Sequence, residues 1–325
     1  LEESLEGDRR SYVYEMDAPK QNIFAVQSAR YASRIEEHDG VKLAVYYHPA
    51  HEWNVDRMIQ SLRDSISYFG EKFSPYQYRQ MRVLEFPGYA SFAQSFPNTV
   101  PWSETIGFIA DITDPESIDY VYYVGAHEVA HQWWAHQVSA ANVQGQSSII
   151  ETLSQYSALM LMEREYGPHI MRRFLKYELD NYLSSRGGEA IEEMPLYRVE
   201  SQGYIHYRKG SIVMYALKDY MGQDAVDTAL RNFVAEAAYK TDPYPTSRDL
   251  IRHLREQATT DEQRALITDL FERIVLWDLR VEEASVTERD DGKFDVSFEV
   301  SASKFEADGA GEQTEIPLDL NIDIG

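Results

Sequence analysis

The stretch "GAHEVAHQWWAHQV" at residues 125–138 constrains the fold of this chain more than any other feature. Residues four apart on an α-helix lie nearly one above the other, so His127 and His131 can direct two imidazoles at one ion. Glu128 directly follows the first histidine and can reach a water bound to that ion. This is the His-Glu-x-x-His arrangement, with two zinc ligands and a general base on one helical turn. The alternative is a buried helix whose histidines are satisfied by the protein itself.

A third metal ligand is expected on the next helix. Catalytic zinc usually takes three protein ligands and leaves a fourth position to water. Glu151 stands at the start of the mostly apolar run "TLSQYSALMLM", which predicts a buried helix. If this helix is the antiparallel neighbour of the first, the carboxylate lies beside the histidines, and a buried carboxylate needs such a partner. The competing interpretation is a capping box, because Ser148 and Glu151 match the Ser-x-x-Glu pattern.

The composition narrows the classes of function. The 325 residues include 31 basic and 54 acidic ones, a net charge of −23, and no cysteine. The acidic balance argues against nucleic-acid binding, which needs basic patches. The lack of cysteine excludes disulfides, cysteine-based zinc fingers and thiol catalysis. No apolar run reaches the roughly 18 residues that a membrane-spanning helix needs.

Regular structure is expected ahead of the histidine motif. "VKLAVYYHP" at 41–49 and "MRVLEF" at 81–86 predict strands, since both are rich in β-branched and aromatic residues. Between them, residues 54–70 have apolar positions at helical spacing, and Gly70 is expected to end that helix. The segment 87–111 is turn-rich and β-like.

After this region the pattern becomes helical. The Asp114-Pro115-Glu116 stretch resembles a helix start, and the chain is expected to stay mostly helical to about residue 275. Gly167 and Gly222 are expected to end two of these helices. From Leu276 the period changes to two, so "KFDVSFEVSAS" and "IPLDLNIDI" predict strands.

A tyrosine further along the chain makes the motifs resemble those of a known family. In "SQGYIHYRKGSIVMYALKDYMG", Tyr207 opens the element Tyr-Arg-Lys-Gly. "HEVAHQWW", a glutamate opening the next helix and "YRKG" together resemble the aminopeptidase N family of zinc metallopeptidases, the gluzincins. In that family the tyrosine donates a hydrogen bond to the tetrahedral oxyanion, and Tyr207 matches its position. Without this context a packing tyrosine would be the default, since the chain has 23 of them.

The same family carries a Gly-x-Met-Glu-Asn element whose glutamate binds the free α-amine of the substrate. This chain lacks that string, but "SETIGFI" at 103–109 is similar to the family's "MENWGLI". The alignment places Glu104 at the amine-binding position. The alternative is an ordinary surface glutamate.

Three departures from the family pattern stand out. The spacing between His131 and Glu151 is one residue longer than is typical of the family, and equals that of thermolysin. The usual Gly-Asn after the tryptophan pair is Ala135-His136 here. His136 is five positions from His131, so it is not expected to face the metal. The N-terminal β domain of the family is nearly absent, and the second amine-binding residue that it supplies has no counterpart that we can place.

The resemblance implies an α+β fold, in which a thermolysin-like zinc peptidase domain is followed by a helical block with partial β domains at both ends. The implied division is 1–40 for the end of an N-terminal β domain, 41–166 for the thermolysin-like region with the zinc site, 167–275 for the helical part, and 276–325 for the start of a C-terminal β domain.

The resemblance also implies a function. The expected cofactor is Zn²⁺, with His127, His131 and Glu151 as ligands. Glu128 would then be the general base, with Tyr207 at the oxyanion and Glu104 at the substrate amine. We expect a zinc-dependent peptidase acting on peptide substrates, most simply an aminopeptidase that releases N-terminal residues. The alternatives are a zinc endopeptidase and a low-turnover peptide-binding or sensor module of a membrane transporter.

The ends of the chain suggest a piece of a longer protein. It opens on "LEESLEGDRR" without an initiator methionine or signal peptide and stops within a strand-like alternation. "HEVAHQWWAHQVSAA" is most similar to a family branch fused to bacterial ABC transporter permease segments. That likeness implies a soluble fragment, located in the periplasm, of a protein anchored to the membrane by segments outside this sequence.

Overall fold

The computed structural model describes residues 2–114 and 117–318. The strands are β1 (Glu2–Glu6), β2 (Arg9–Val13), β3 (Ala32–His38), β4 (Val41–Tyr47), β5 (Gln80–Phe86), β6 (Thr99–Ser103), β7 (Ile274–Glu288), β8 (Phe294–Ala307) and β9 (Gln313–Ile316). The α-helices are α1 (Val55–Lys72), α2 (Tyr120–Ala130), α3 (Gln146–Tyr166), α4 (Met171–Gly187), α5 (Gly210–Met221), α6 (Gln223–Ala237), α7 (Ser247–Gln257) and α8 (Asp261–Ile267). Two π-helical turns span Tyr204–Lys209 and Thr268–Glu272.

The central sheet has four strands in the order β3-β4-β5-β6. The β3 and β4 strands are antiparallel, whereas β4, β5 and β6 run parallel to one another. The predicted strands at 41–49 and 81–86 are thus confirmed as β4 and β5. Leu43 and Val83 are completely buried, as expected for interior strands that are covered on both faces.

Helix α1 packs its apolar stripe against this core. Met58, Ile59 and Leu62 are buried, and each such side chain contributes roughly 1.5–3 kcal/mol to folding. The helix continues past Gly70 to Lys72, so the prediction that Gly70 ends it was wrong. Burial of Phe69 immediately before the glycine outweighs the roughly 1 kcal/mol that glycine costs in a helix interior.

Helix α2 begins later than predicted. Asp119 is its N-cap, because the Asp119 carboxylate accepts a hydrogen bond from the Tyr122 backbone N–H at 3.0 Å. The start predicted near Asp114 was therefore wrong, and residues 115–116 of that stretch lie outside the described residues. Helices α2 and α3 are buried along most of their lengths, as the apolar sequence of the second predicted.

The helical block and the C-terminal strands follow the predicted order. Helix α3 ends just before Gly167 and α5 just before Gly222, as expected. The strands β7, β8 and β9 form an antiparallel sheet, and the strand predicted in "KFDVSFEVSAS" is confirmed as part of β8. Of the strand predicted in "IPLDLNIDI", Ile316 ends β9, and the residues from 319 onward lie outside the described residues.

The architecture is α+β, as predicted. The histidine-bearing helix and α3 pack against each other, and α1 lies between them and the central sheet. Within residues 2–114 and 117–318, no helix combines the length and apolar character needed to cross a membrane.

Candidate metal centre

Three side chains converge on one point between α2 and α3. The Nε2 atoms of His127 and His131 are 3.0 Å apart, and their rings are perpendicular. The Oε2 atom of Glu151 lies 3.5 Å from the first and 3.4 Å from the second. Zinc–ligand bonds of about 2.0–2.2 Å in a tetrahedral site place neighbouring ligand atoms roughly 3.3 Å apart. The three separations therefore match three edges of a zinc tetrahedron.

The chemistry of these donors also fits a cation. The Oε2 atom of Glu151 is buried and has no hydrogen-bond partner among the described residues. Burial disfavours a charged imidazole, but the Glu151 carboxylate overrides burial and raises the pKa of His131 to about 9. Burial alone would raise the pKa of Glu151, yet the two histidines hold it well below its usual range. The arrangement of these three side chains therefore favours a bound cation.

His131 is oriented by contacts behind its ring. It follows the last residue of α2, and its Nδ1 atom lies 2.9 Å from the Ser154 hydroxyl and 3.2 Å from the Trp134 carbonyl oxygen. Such partners on the far nitrogen of a ligating histidine fix its tautomer and its orientation. Here they leave Nε2 facing His127 and Glu151.

Glu151 lies in the second turn of α3, which begins at Gln146. The N-cap is Gly145, with a φ of +86°, and a Cβ there would lie 2.0 Å from the Tyr197 carbonyl oxygen. The Ser148 hydroxyl donates to the Gly145 carbonyl at 2.6 Å instead of accepting from the helix. The capping-box alternative for Ser148 and Glu151 was therefore wrong.

The other two proposed catalytic side chains are close by. Glu128 is buried, its Oε2 atom has no hydrogen-bond partner among the described residues, and burial raises its pKa. The ring of Tyr207 lies 5.7 Å from that of His127. Burial, together with the Glu151 carboxylate, raises the pKa of Tyr207 above its ordinary value. Its phenol is therefore protonated at neutral pH and available as a hydrogen-bond donor.

Glu104 belongs to a second cluster of polar side chains. Its Oε1 atom accepts a hydrogen bond from the Gly88 N–H at 2.7 Å, and its Oε2 atom lies 3.8 Å from His51 Nδ1. Glu85 Oε1 lies 2.5 Å from the same nitrogen. His51, Glu85 and Glu104 offer ligand atoms within 4.8 Å of one another, so this cluster too favours a cation.

His51 and Glu85 were not predicted from the sequence. The available signal was topological: β4, β5 and β6 are parallel neighbours, so their carboxyl ends meet at one edge of the sheet. His51 follows β4, Glu85 is the next-to-last residue of β5, and Glu104 follows β6.

His136 is buried with its pKa lowered to about 3 by burial, and it is not part of the converging metal cluster.

Residues 57–273 match the peptidase family M1 domain, which is more than half of the chain. The chain belongs to peptidase family M1. The predicted resemblance to the aminopeptidase N family of gluzincins is thus confirmed, and with it the expectation of a zinc metallopeptidase domain. The cofactor of an M1 metallopeptidase domain is Zn²⁺, as predicted, and His127, His131 and Glu151 could hold it.

Known proteins share the M1 domain at low identity. Human endoplasmic reticulum aminopeptidase 2 is 22% identical over 213 residues, which cover 62% of this chain and 22% of that protein. The M1 zinc metallopeptidase of Deinococcus radiodurans is 17% identical, with a TM-score of 0.53 over 74% of this chain and 51% of that chain. A mutant of that metallopeptidase gives a TM-score of 0.56 at 16% identity, covering 74% of this chain and 52% of that chain.

The structural likeness confirms the predicted fold class. This chain spans about half the length of those solved structures and about a fifth of the human protein. A mutant structure of the Deinococcus enzyme, with a TM-score of 0.52 at 17% identity over 74% of this chain and 51% of that chain, contains a Tyr-Ser-Ala substrate.

Proposed function

We propose that this chain is a zinc-dependent aminopeptidase that hydrolyses the first peptide bond of peptides with a free amino terminus. The observation that carries the proposal is the convergence of His127, His131 and Glu151, whose ligand atoms are separated as in a tetrahedral zinc site. The buried carboxylate of Glu128 lies on the same helical turn as the two histidines. Membership of family M1 and the relatives named as aminopeptidases and metallopeptidases support it.

The roles follow from the side chains. Zinc bound by His127, His131 and Glu151 would supply a Lewis acid for the substrate carbonyl and for the attacking water. Glu128 accepts the proton of that water and passes it to the leaving amine, and burial favours this role because it keeps the carboxylate basic. Tyr207 donates its phenolic hydrogen bond to the oxygen that becomes negatively charged.

Tyr207→Phe is expected to lower kcat by roughly 10²-fold with little change in KM. Its hydrogen bond strengthens only as negative charge develops, and removing one such donor typically costs about 10²–10³ in rate. The measurement is steady-state hydrolysis of an aminoacyl fluorogenic substrate, with zinc content as the control. A variant with wild-type kcat and a full equivalent of zinc would remove Tyr207 from the mechanism.

Glu104 is proposed to bind the α-ammonium of the substrate. Its side chain is 28% exposed, and the Gly88 N–H fixes one of its oxygens while the other faces the cluster of His51 and Glu85. The proposed subsite therefore has two carboxylates against one imidazole, a balance that favours a cationic group. An endopeptidase would have no need of such a subsite.

Glu104→Gln is expected to lower kcat/KM on free-amine peptides by roughly 10- to 100-fold. The amide can still accept the Gly88 hydrogen bond but loses the charge-assisted contact, which contributes about 1.5–3 kcal/mol. The same peptides with an acetylated amino terminus should be cleaved slowly by wild type and nearly as well by the variant. Glu52→Gln, at an exposed glutamate beside His51, is the matched control.

Three outcomes of this experiment would contradict the proposal. Equal cleavage of free and acetylated peptides by the wild-type chain would indicate an endopeptidase. Equal losses on both peptides would remove Glu104 from an amine site. Binding of peptide without chelator-sensitive turnover would favour the sensor-module alternative.

Domain boundaries and cellular context are also proposed. The division at residues 40, 166 and 275 places the zinc site in the second unit and Tyr207 in the third. The fusion to transporter permease segments and the periplasmic location stay predictions from the likeness of the histidine motif.

A further inference from the structure

One fully buried carboxylate has no part in the proposed mechanism. Glu178, on α4, is 0% exposed. An ionised carboxylate in such a position needs several hydrogen-bond donors to offset the loss of its water shell.

The donors come from three different elements. Arg208 Nη1 donates to both carboxylate oxygens of Glu178, at 3.2 and 3.0 Å. The Tyr123 hydroxyl donates to Glu178 Oε1 at 2.9 Å, and Gln155 Nε2 donates to the same oxygen at 3.1 Å. Gln155 Nε2 also donates to the Tyr123 hydroxyl at 2.9 Å. The four side chains form one closed network.

Two of these donors lie one helical turn from a proposed zinc ligand. Tyr123 is four residues before His127 on α2, and Gln155 is four residues after Glu151 on α3. Residues four apart on a helix share a face, so each donor lies above or below its ligand. The Glu178 carboxylate therefore joins the two zinc-bearing helices on the face where their ligands meet.

The third donor is adjacent to the proposed oxyanion donor. Arg208 directly follows Tyr207 in the π-helical turn Tyr204–Lys209. A π-helical turn is rare and often marks a functional position, and its geometry depends on neighbouring packing. Through Arg208, the same carboxylate connects this turn to α2 and α3.

Neighbouring contacts hold the rest of the turn. Lys209 is buried and pairs with the buried Glu193 at 3.3 Å. Gly210 approaches α3 so closely that a Cβ would lie 2.3 Å from Thr152 Oγ1. The arginine, lysine and glycine of the Tyr-Arg-Lys-Gly element are therefore all anchored, while Tyr207 is left facing the metal centre.

We propose that Glu178 is a positioning residue for Tyr207. It acts through Arg208. Its hydrogen bonds to Tyr123 and Gln155 fix the position of the phenol relative to the helices that carry the proposed zinc ligands. The inference rests on the proposed function, because Tyr207 has a catalytic role only there.

The test is a double-mutant cycle between Glu178→Gln and Tyr207→Phe. Glu178→Gln keeps the volume of the side chain and removes its charge. Alone, it should lower kcat by roughly 10- to 100-fold with KM nearly unchanged and zinc content full, since a small misplacement of a catalytic group has effects of that size. In the Tyr207→Phe background the same change should lower kcat by no more than about two-fold, because the phenol that it positions is already gone.

A matched control separates positioning from general stability. Lys218 pairs with Glu163 at the far end of α3, twelve residues from Glu151, and both side chains are largely buried. Lys218→Met should lower the thermal midpoint without changing kcat. If Glu178→Gln is unfolded at the assay temperature, Gln155→Met replaces it in the cycle, since that change removes only the Gln155 contacts of the network.

The outcomes distinguish the inference from the proposed function. Losses that multiply in the double variant would overturn the inference, because Glu178 would then act independently of the phenol. An unchanged kcat in Glu178→Gln would overturn it as well, while leaving a lowered kcat in Tyr207→Phe to support the proposed mechanism. Wild-type turnover in Tyr207→Phe would overturn both.

Discussion

Glu128→Gln is expected to keep a full equivalent of zinc and to lose hydrolysis by roughly 10²–10⁴-fold. The amide has nearly the same shape as the carboxylate, so the helix and the ligands on either side of it should be undisturbed. What it cannot do is accept the proton of the attacking water, and loss of a general base has effects of that size. Burial raises the pKa of Glu128, so the wild-type carboxylate is a better proton acceptor than an exposed glutamate.

The measurement pairs metal analysis with turnover on a free-amine peptide. Peptide binding to Glu128→Gln should remain close to that of the wild type, because the carboxylate is assigned to the chemical step and not to binding. A variant that turns over at the wild-type rate would refute the general-base role. A variant that loses its zinc would show that Glu128 supports the metal site instead, and the loss of rate would then say nothing about proton transfer.

The convergence of the three candidate zinc ligands was predictable mainly because two of them lie close together in the sequence. His127, Glu128 and His131 fall on one helical turn, and helical geometry alone brings the two imidazoles together. Glu151 required one further step, that α2 and α3 are neighbours, which the apolar sequence of α3 made reasonable. The convergence of the three side chains shows that this step was sufficient.

Helix ends were less predictable, because weak local signals compete with burial. Asp114 is a plausible helix start from its sequence context, but the N-cap of α2 is Asp119. Gly70 is an ordinary stop signal, yet the packing of Phe69 carries α1 beyond it. A difference of about 1 kcal/mol in propensity is smaller than the gain from one buried aromatic ring.

Contacts between distant segments were not predictable from the sequence. His51 and Glu85 are separated by 34 residues and meet because two parallel strands end at the same edge of the sheet. Glu178 meets Tyr123 across 55 residues and Arg208 across 30. Nothing in the spacing of such residues marks them, since the position of α4 against α2 and α3 depends on tertiary contacts.

Glu151→Gln is expected to lower zinc affinity by more than about 100-fold, while Ser148→Ala leaves it unchanged. A change behind a ligand typically costs 10- to 100-fold in metal affinity, so loss of a ligand should exceed that range. Glu151→Gln also removes the negative charge that balances a bound cation. The same negative charge raises the pKa of His131 in the wild type. Zinc retained after dialysis against graded chelator concentrations is the measurement.

The serine variant separates the loss of a metal ligand from a general loss of helix stability, because the Ser148 hydroxyl donates to the Gly145 carbonyl at the start of the same helix. If Glu151→Gln acted only by destabilising the helix, Ser148→Ala and Glu151→Gln would both lower the thermal midpoint and neither would change zinc affinity. If Glu151 is a ligand, only its own substitution releases metal, and added zinc raises the thermal midpoint of the wild type far more than that of Glu151→Gln, because a ligand that binds only the folded state stabilises it. Full zinc affinity in Glu151→Gln would show that Glu151 is not a ligand. His127 and His131 would then form an incomplete site, which would contradict the first step of the proposed hydrolysis.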